Sequence, residues 1–190
     1  MKLTKLLERL DYKVVAGSDN IEITELVNDS RKVVPGGAFV CISGAVSDGH
    51  QYVKDVAERG AAAVIVEKDV EVPEGLTVIK VENTRYALAL MSAAYFGYPA
   101  EKLKTIGITG TKGKTTTTYM VKAILEEVGH KVGLIGTIEA IIGDKTIPSN
   151  NTTPESYTIQ KYFAQMDVGA VQEIMEKALE GYFGKEAAGV

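Results

Sequence analysis

Gly110, Gly113, Lys114 and Thr115 stand at a spacing that suits a nucleotide phosphate. They fall within Thr105-Ile106-Gly107-Ile108-Thr109-Gly110-Thr111-Lys112-Gly113-Lys114-Thr115-Thr116. The two glycines let backbone N–H groups approach an anion with no Cβ in the way. A helix starting near Lys114 adds the positive end of its dipole. Lys114 reaches the terminal phosphates, and the Thr115 hydroxyl is a ligand for Mg²⁺. The cradle runs through Gly110, Thr111, Lys112, Gly113, Lys114, Thr115 and Thr116. The general pattern G-x-x-x-x-G-K-[ST] calls for glycine where Ile108 stands, so the loop is the shorter G-x-x-G-K-T form. The competing explanation is a plain glycine-rich turn in which Lys114 is solvated or caps the helix.

Such a loop needs a strand before it and a helix after it. The β-branched run 104–109 reads as the strand, 115–128 as the helix and 131–135 as a second strand. That order implies a parallel sheet with a right-handed crossover. Upstream, the pattern gives a short helix over 2–10, strands over 21–27 and 38–43, and a helix over 51–59 stopped by Gly60. Strands over 62–66 and 76–81 and a helix over 84–96 follow, ended by Gly97-Tyr98-Pro99. Downstream, 143–154 is polar and turn-like, and helices are expected over 155–166 and 171–183. The fold class is α/β: a small N-terminal α/β domain (1–98), a linker (99–103), an incomplete parallel-sheet phosphate-binding domain (104–166) and an atypical helical tail (167–190).

The chain has 190 residues, 45% of them hydrophobic and 24% charged, which suits one large or two small globular domains. Its net charge of −4 gives no electrostatic support to a nucleic-acid role. The single cysteine, Cys41, lies between Val40 and Ile42 and reads as a buried small hydrophobe. One cysteine cannot form a disulfide within the chain, which suits a reducing compartment. Leu3, Leu6, Leu7 and Leu10 alternate with charges as a helix face does, not as a signal peptide does. No run is long enough to span a bilayer. The expected location is the cytoplasm, with no membrane insertion.

The loop Thr109–Thr116 resembles the ATP loop of the Mur ligase family, the ATP-dependent amide-forming enzymes of peptidoglycan precursor synthesis. Folylpolyglutamate synthetases have a related loop. Two further segments narrow the likeness. Asp29-Ser30-Arg31-Lys32-Val33-Val34-Pro35-Gly36-Gly37-Ala38-Phe39-Val40, with Gly44, Asp48-Gly49-His50 and Gly60-Ala61, is similar to the uridine-diphosphate-binding domain shared by the MurE and MurF types. Asn151-Thr152-Thr153-Pro154-Glu155-Ser156 is similar to a MurE-type segment that contacts the UDP-MurNAc part of the substrate. The resemblance, over about residues 1–166, favours the MurE type. It implies ATP and Mg²⁺ as cofactors, with Thr115 as metal ligand and Lys114 as the catalytic residue that stabilises a migrating phosphoryl group. UDP-MurNAc-L-Ala-D-Glu and a diamino acid, meso-diaminopimelate or L-lysine, are the implied partners. Ser30, Gly44, Ala45, Asn151, Thr152 and Thr153 are the implied substrate contacts.

Residue chemistry is compatible with these roles. Ser30 lies in a turn that leaves its hydroxyl able to bond, and Gly44-Ala45-Val46 lies where a strand ends, so its amides are expected to face a base edge. The bland alternatives are a simple turn at Asp29-Ser30 and an Asx or ST turn before Pro154. Asp48-Gly49-His50-Gln51 looks like a helix start with Asp48 as N-cap; for His50 a structural role and a ligand contact both stay open. His130, after Gly129, suits a helix C-terminus. From about Asp167 the sequence is expected to leave the family pattern. The glutamate and histidine that complete magnesium binding, the carbamylated lysine and the amino-acid-receiving domain are not identifiable. The expectation is a ligase region incomplete for catalysis. The alternatives are a non-catalytic UDP-MurNAc-binding module from a truncated paralogue and an unrelated P-loop NTPase. An unfinished parallel sheet also leaves an edge open to self-association.

Overall fold

The computed structural model describes residues 1–44, 47–149 and 153–166, together with the backbone of 171–175. The chain divides into two compact units, Met1–Tyr95 and Phe96 onward.

The first unit is a five-stranded sheet in the order β1-β5-β4-β3-β2, formed by Lys13–Ala16 (β1), Leu26–Val27 (β2), Ala38–Val40 (β3), Ala63–Val66 (β4) and Thr77–Lys80 (β5). β2 to β5 are parallel, and β1 closes the edge antiparallel to β5. Strands of a sheet covered on both faces read as continuous apolar runs. Ala63-Val64-Ile65-Val66 is such a run, and all four are buried. Phe39, Cys41, Val64, Val66 and Val78 pack with Val53 and Val56 of helix α2 (Val53–Glu58). The alternate residues Ala38, Val40, Ala63, Ile65 and Ile79 are equally buried. Helix α3 (Thr84–Tyr95) and the single turn α1 (Leu3–Leu6) pack against one another, burying Leu3, Leu6, Leu88 and Met91.

The expected helix over 2–10 is therefore one turn. The chain start instead pairs with 21–23: Leu3 N–H donates to the Ile21 carbonyl and Ile23 N–H to the Met1 carbonyl. The strand expected over 21–27 shrinks to Leu26–Val27 for the same reason. β1 was not anticipated; its edge position leaves Lys13, Val14 and Val15 exposed, so no buried alternation marks it. The helix expected over 51–59 opens as a 3-10 turn, Gly49–Tyr52, before α2.

The second unit holds a five-stranded sheet in the order β6-β10-β7-β8-β9, from Lys104–Gly107 (β6), Lys131–Ile135 (β7), Glu139–Ile142 (β8), Lys145–Pro148 (β9) and Val171–Met175 (β10). Helix α4 (Lys114–Glu127) joins β6 to β7. Helix α5 (Ser156–Met166) packs Ile159, Phe163 and Met166 against Ile135, Ala140 and Ile142. The turn at Pro99–Lys102, expected as linker, is a 3-10 turn that contacts α5, with Leu103 in the core.

Two expectations fail here. Residues 143–154, read as a polar turn, include β9, which closes a hairpin with β8. Val171–Met175, read as the start of a helix, is a strand parallel to both β6 and β7. Its apolar spacing at 171, 174 and 175 fits a short helix or a strand equally, and the slot between two parallel strands decides. The remainder of that expected helix, 176–183, lies outside the described residues. α4 and its C-cap leave Met120, Ile124 and Val128 exposed at 60%, 62% and 66%, a stripe at four-residue spacing.

Candidate functional site

The residues expected to cradle phosphate, 110–116, sit between β6 and α4 or in the first turn of α4, where the sequence placed them. After Gly107 the backbone leaves the sheet at its carboxyl edge, the rim where open α/β sheets bind ligands. Gly113 holds the N-cap position with φ 80° and ψ −5°, a left-handed conformation that favours glycine, and no side chain caps the helix. The intrahelical ladder begins where Thr117 N–H donates to the Gly113 carbonyl. The amides of Lys114 and Thr116 therefore lie ahead of it, at the positive end of a fourteen-residue helix. No acidic residue occupies the first turn. The Lys114 ammonium donates to the Gly110 carbonyl at 2.9 Å and so lies over the loop. Thr111, Lys112 and Thr116 are exposed, and Thr115 is half-buried. Exposed amides, a helix start, an ammonium group and a threonine hydroxyl fit a polyphosphate and its hard cation.

β10 lies between β6 and β7, with Met175 in register with Gly107 and Ile135. Its carboxyl end therefore opens on the same rim as the loop. β8 runs against β7, and β9 runs against β8, so β9 points the same way as β6. The segment after Pro148 thus also leaves at this rim, roughly 19 Å from β6 by four strand spacings. Thr153 lies in that segment; its hydroxyl oxygen is shielded from solvent and has no partner among the described residues. Asn151 and Thr152 lie outside the described residues. Tyr119 of α4 donates its hydroxyl to Glu139 of β8 at 2.5 Å, tying the loop's helix to the hairpin that carries the Thr153 segment.

In the first unit, Ser30 follows β2, Ser43–Gly44 follows β3 and Glu67 follows β4, so all three leave parallel strands at one carboxyl edge. Ser30 opens a 3-10 turn, and its hydroxyl has no partner among the described residues. Asp29 caps that turn by accepting from Arg31 N–H, and it receives the Arg31 guanidinium in two parallel bonds of 2.9 Å. Those bonds, the side-chain pair foremost, lower the Asp29 carboxyl to a pKa of about 2. The expectation for Gly44 needs correction. Its N–H donates to the Ser47 carbonyl at 3.0 Å and is not turned outward to a base edge. Ala45 lies outside the described residues.

Around Ser43 runs a polar network that spacing alone does not reveal. Ser43 donates to one Glu67 carboxylate oxygen at 2.7 Å, and the Thr84 amide and hydroxyl donate to the other. Burial pushes the Glu67 carboxyl up, but these donors outweigh it and leave the pKa lowered. His50 Nδ1 meets Asp48 at 2.6 Å, and His50 Nε2 accepts the Glu67 N–H at 3.1 Å. Lys68 pairs with the other Asp48 oxygen at 2.7 Å. Lys68 first, then the His50 ring and amide, hold Asp48 well below the ordinary carboxylate range. Cys41 is fully buried beneath, and burial raises its thiol to about 12. These residues come from four separate elements, so no sequence interval links them. Among the described residues no cluster of acidic, histidine and cysteine side chains forms a metal site, and no helix is long and apolar enough to cross a membrane.

Two family models match the chain: "Mur ligase family, catalytic domain" over residues 22–96 and "Mur ligase middle domain" over residues 108–184. The second match runs past residue 166, so the expected departure from the family near Asp167 does not hold. The chain is 48% identical over 177 residues to the UDP-N-acetylmuramoyl-L-alanyl-D-glutamate–2,6-diaminopimelate ligase of Clostridium perfringens, covering 93% of this chain and 37% of that protein. It thus spans little more than a third of the length of that relative. Among solved structures, a ligase of the same name superposes with a TM-score of 0.69 at 18% identity, over 92% of this chain and 35% of the other. The MurF ligase from Thermotoga maritima, solved in complex with ADP, superposes with a TM-score of 0.51 at 22% identity, over 79% of this chain and 31% of the other.

Proposed function

We propose that this chain, which belongs to the Mur ligase family, forms the uridine-nucleotide-binding and ATP-binding portion of a MurE-type UDP-N-acetylmuramoyl-L-alanyl-D-glutamate–2,6-diaminopimelate ligase. The observation that carries this reading is the loop between β6 and α4, with Gly113 left-handed and Lys114 lying across it. Residues 1–98 take the UDP-sugar and 104–166 take ATP. The location is the cytoplasm, where the nucleotide precursors are made.

Carboxylates are poor acyl donors. The reaction moves the γ-phosphoryl group of ATP onto the D-glutamate carboxylate, giving an acyl phosphate and ADP. An amine of the diamino acid attacks the acyl carbon, and inorganic phosphate leaves. The enzyme supplies position and charge neutralisation. Gly110, Thr111, Lys112, Gly113 and Thr116 hold the phosphates through backbone amides. Lys114 gives up the Gly110 carbonyl for phosphate oxygens. Mg²⁺, held in part by Thr115, would screen the phosphate charge. Ser30 and the strand end at Gly44-Ala45, other than through the Gly44 amide already closed onto Ser47, bind the uridine end of the substrate, and Asn151, Thr152 and Thr153 its muramoyl part. The diamino acid is 2,6-diaminopimelate, following the relatives' names, with L-lysine as the other candidate. Among the described residues β6 has a strand neighbour on one side only, and that edge is a route to self-association.

Calorimetric titration of the chain with UDP-MurNAc-L-Ala-D-Glu tests the reading. A saturable heat that UDP competes away supports it. Absence of heat together with absence of competition at millimolar UDP overturns it.

A further inference from the structure

We propose that His50 is a positioning residue that fixes the Ser43–Gly44 strand end in the shape that accepts the uridine part of the substrate. This rests on the uridine role proposed above for that strand end.

His50 is turned inward. Its side chain is 7% exposed, and both ring nitrogens are engaged by the protein. Nε2 accepts the Glu67 N–H, so its lone pair is in use and the ring proton resides on Nδ1, which donates to Asp48. Nothing on the ring remains for a ligand, which settles the choice the sequence left open against a direct contact.

What the ring joins explains its use. On one side is Asp48, which forms an antiparallel bridge with Ser43. On the other is Glu67, which holds the Ser43 hydroxyl. Both neighbours of the imidazole thus grip the same residue, one through the backbone and one through the side chain. Arg85 adds a third hold by donating to the Ser43 carbonyl at 3.4 Å. Gly44 follows directly, exposed, with its amide closed onto the Ser47 carbonyl. A Cβ at Gly44 would lie 2.9 Å from that same carbonyl oxygen, so the turn is tight as well as anchored.

A purely structural filler at position 50 would serve as well with an apolar ring. The polar chain Asp48–His50–Glu67 instead specifies one geometry, because each group has a single partner orientation that satisfies it. A surface held in its bound shape beforehand avoids the ordering cost of binding.

The test compares UDP and Mg·ADP binding, by calorimetry, to the wild-type chain, His50→Ala and His50→Gln. The Gln side-chain oxygen can still take the Glu67 N–H. His50→Ala is expected to bind UDP about tenfold more weakly, ~1.4 kcal/mol, with Mg·ADP affinity and cooperative melting retained. His50→Gln is expected to recover most of the loss. The imidazole ¹⁵N spectrum of the wild type is expected to show the Nδ1-protonated tautomer. If His50→Ala does not melt cooperatively, Thr84→Val, which loosens Glu67 from a distance, is expected to weaken UDP selectively. Equal UDP affinity in wild type and variant, an equal loss for UDP and ADP in every folded variant, or an Nε2-protonated ring overturns the positioning role alone. A wild-type chain that binds no uridine nucleotide overturns the proposed uridine site, and this inference with it.

Discussion

The ammonium nitrogen of Lys114 lies 2.9 Å from the carbonyl oxygen of Gly110, four positions earlier in the chain. The loop is therefore closed by its own lysine, and on the proposed function an entering phosphate would replace one oxygen partner with another. Gly113 makes that closure possible. At φ 80° an L-residue is strained, although a Cβ there would meet no atom within 4 Å. Gly113→Ala should thus cost about 1 kcal/mol through backbone conformation alone, read as a small fall in melting temperature with a fall in nucleotide affinity. Gly113→Asn should cost less, since asparagine tolerates the left-handed region.

Gly49 is constrained by space instead. A Cβ at Gly49 would stand 2.7 Å from the Ile42 backbone nitrogen and 3.0 Å from the Cys41 Cα. Backbone cannot rotate away as a side-chain tip can. Gly49→Ala should destabilise the first unit by about 1–3 kcal/mol, measured by urea unfolding.

Asp48 sets an acid limit. Its folded pKa is depressed by Lys68 and then by His50, so its contribution to stability is fully present above the ordinary aspartate value of 3.8. That contribution is lost as pH falls through the lower folded value. Melting temperature should decline on acidification below about pH 4. Asp48→Asn should be less stable at neutral pH, and the gap from wild type should narrow as the pH drops. A constant gap would show that Asp48 does not carry the effect.

Cys41 should be inert in the folded chain. It is fully buried, and its thiol is raised to about 12, so almost no thiolate exists at neutral pH. Thiol titration with a disulfide reagent should proceed only as fast as the first unit opens, and at once in denaturant. Rapid native-state labelling would contradict this placement.

The parts of the fold legible in the sequence are those where local pattern and tertiary environment agree. Ala63–Val66 is apolar on both faces because both faces are covered, and α4 follows a glycine that only a helix start explains. β1 escaped notice because an exposed edge strand carries no burial signature. Val171–Met175 was misread because its spacing is ambiguous, and its two parallel neighbours come from residues 104–107 and 131–135. The proposed phosphate loop is legible because its residues are contiguous. The Ser43–Asp48–His50–Glu67–Thr84 network was not, because its members converge only once the sheet has formed.

The most direct measurement of the central claim is equilibrium binding of Mg·ADP to the wild-type chain and to Lys114→Ala. Saturable binding by the wild type is expected, weakened in the variant by about 1.5–3 kcal/mol, with both proteins melting cooperatively at similar temperatures. Identical affinities, or no binding by a folded wild-type chain, would contradict a phosphate grip at this loop.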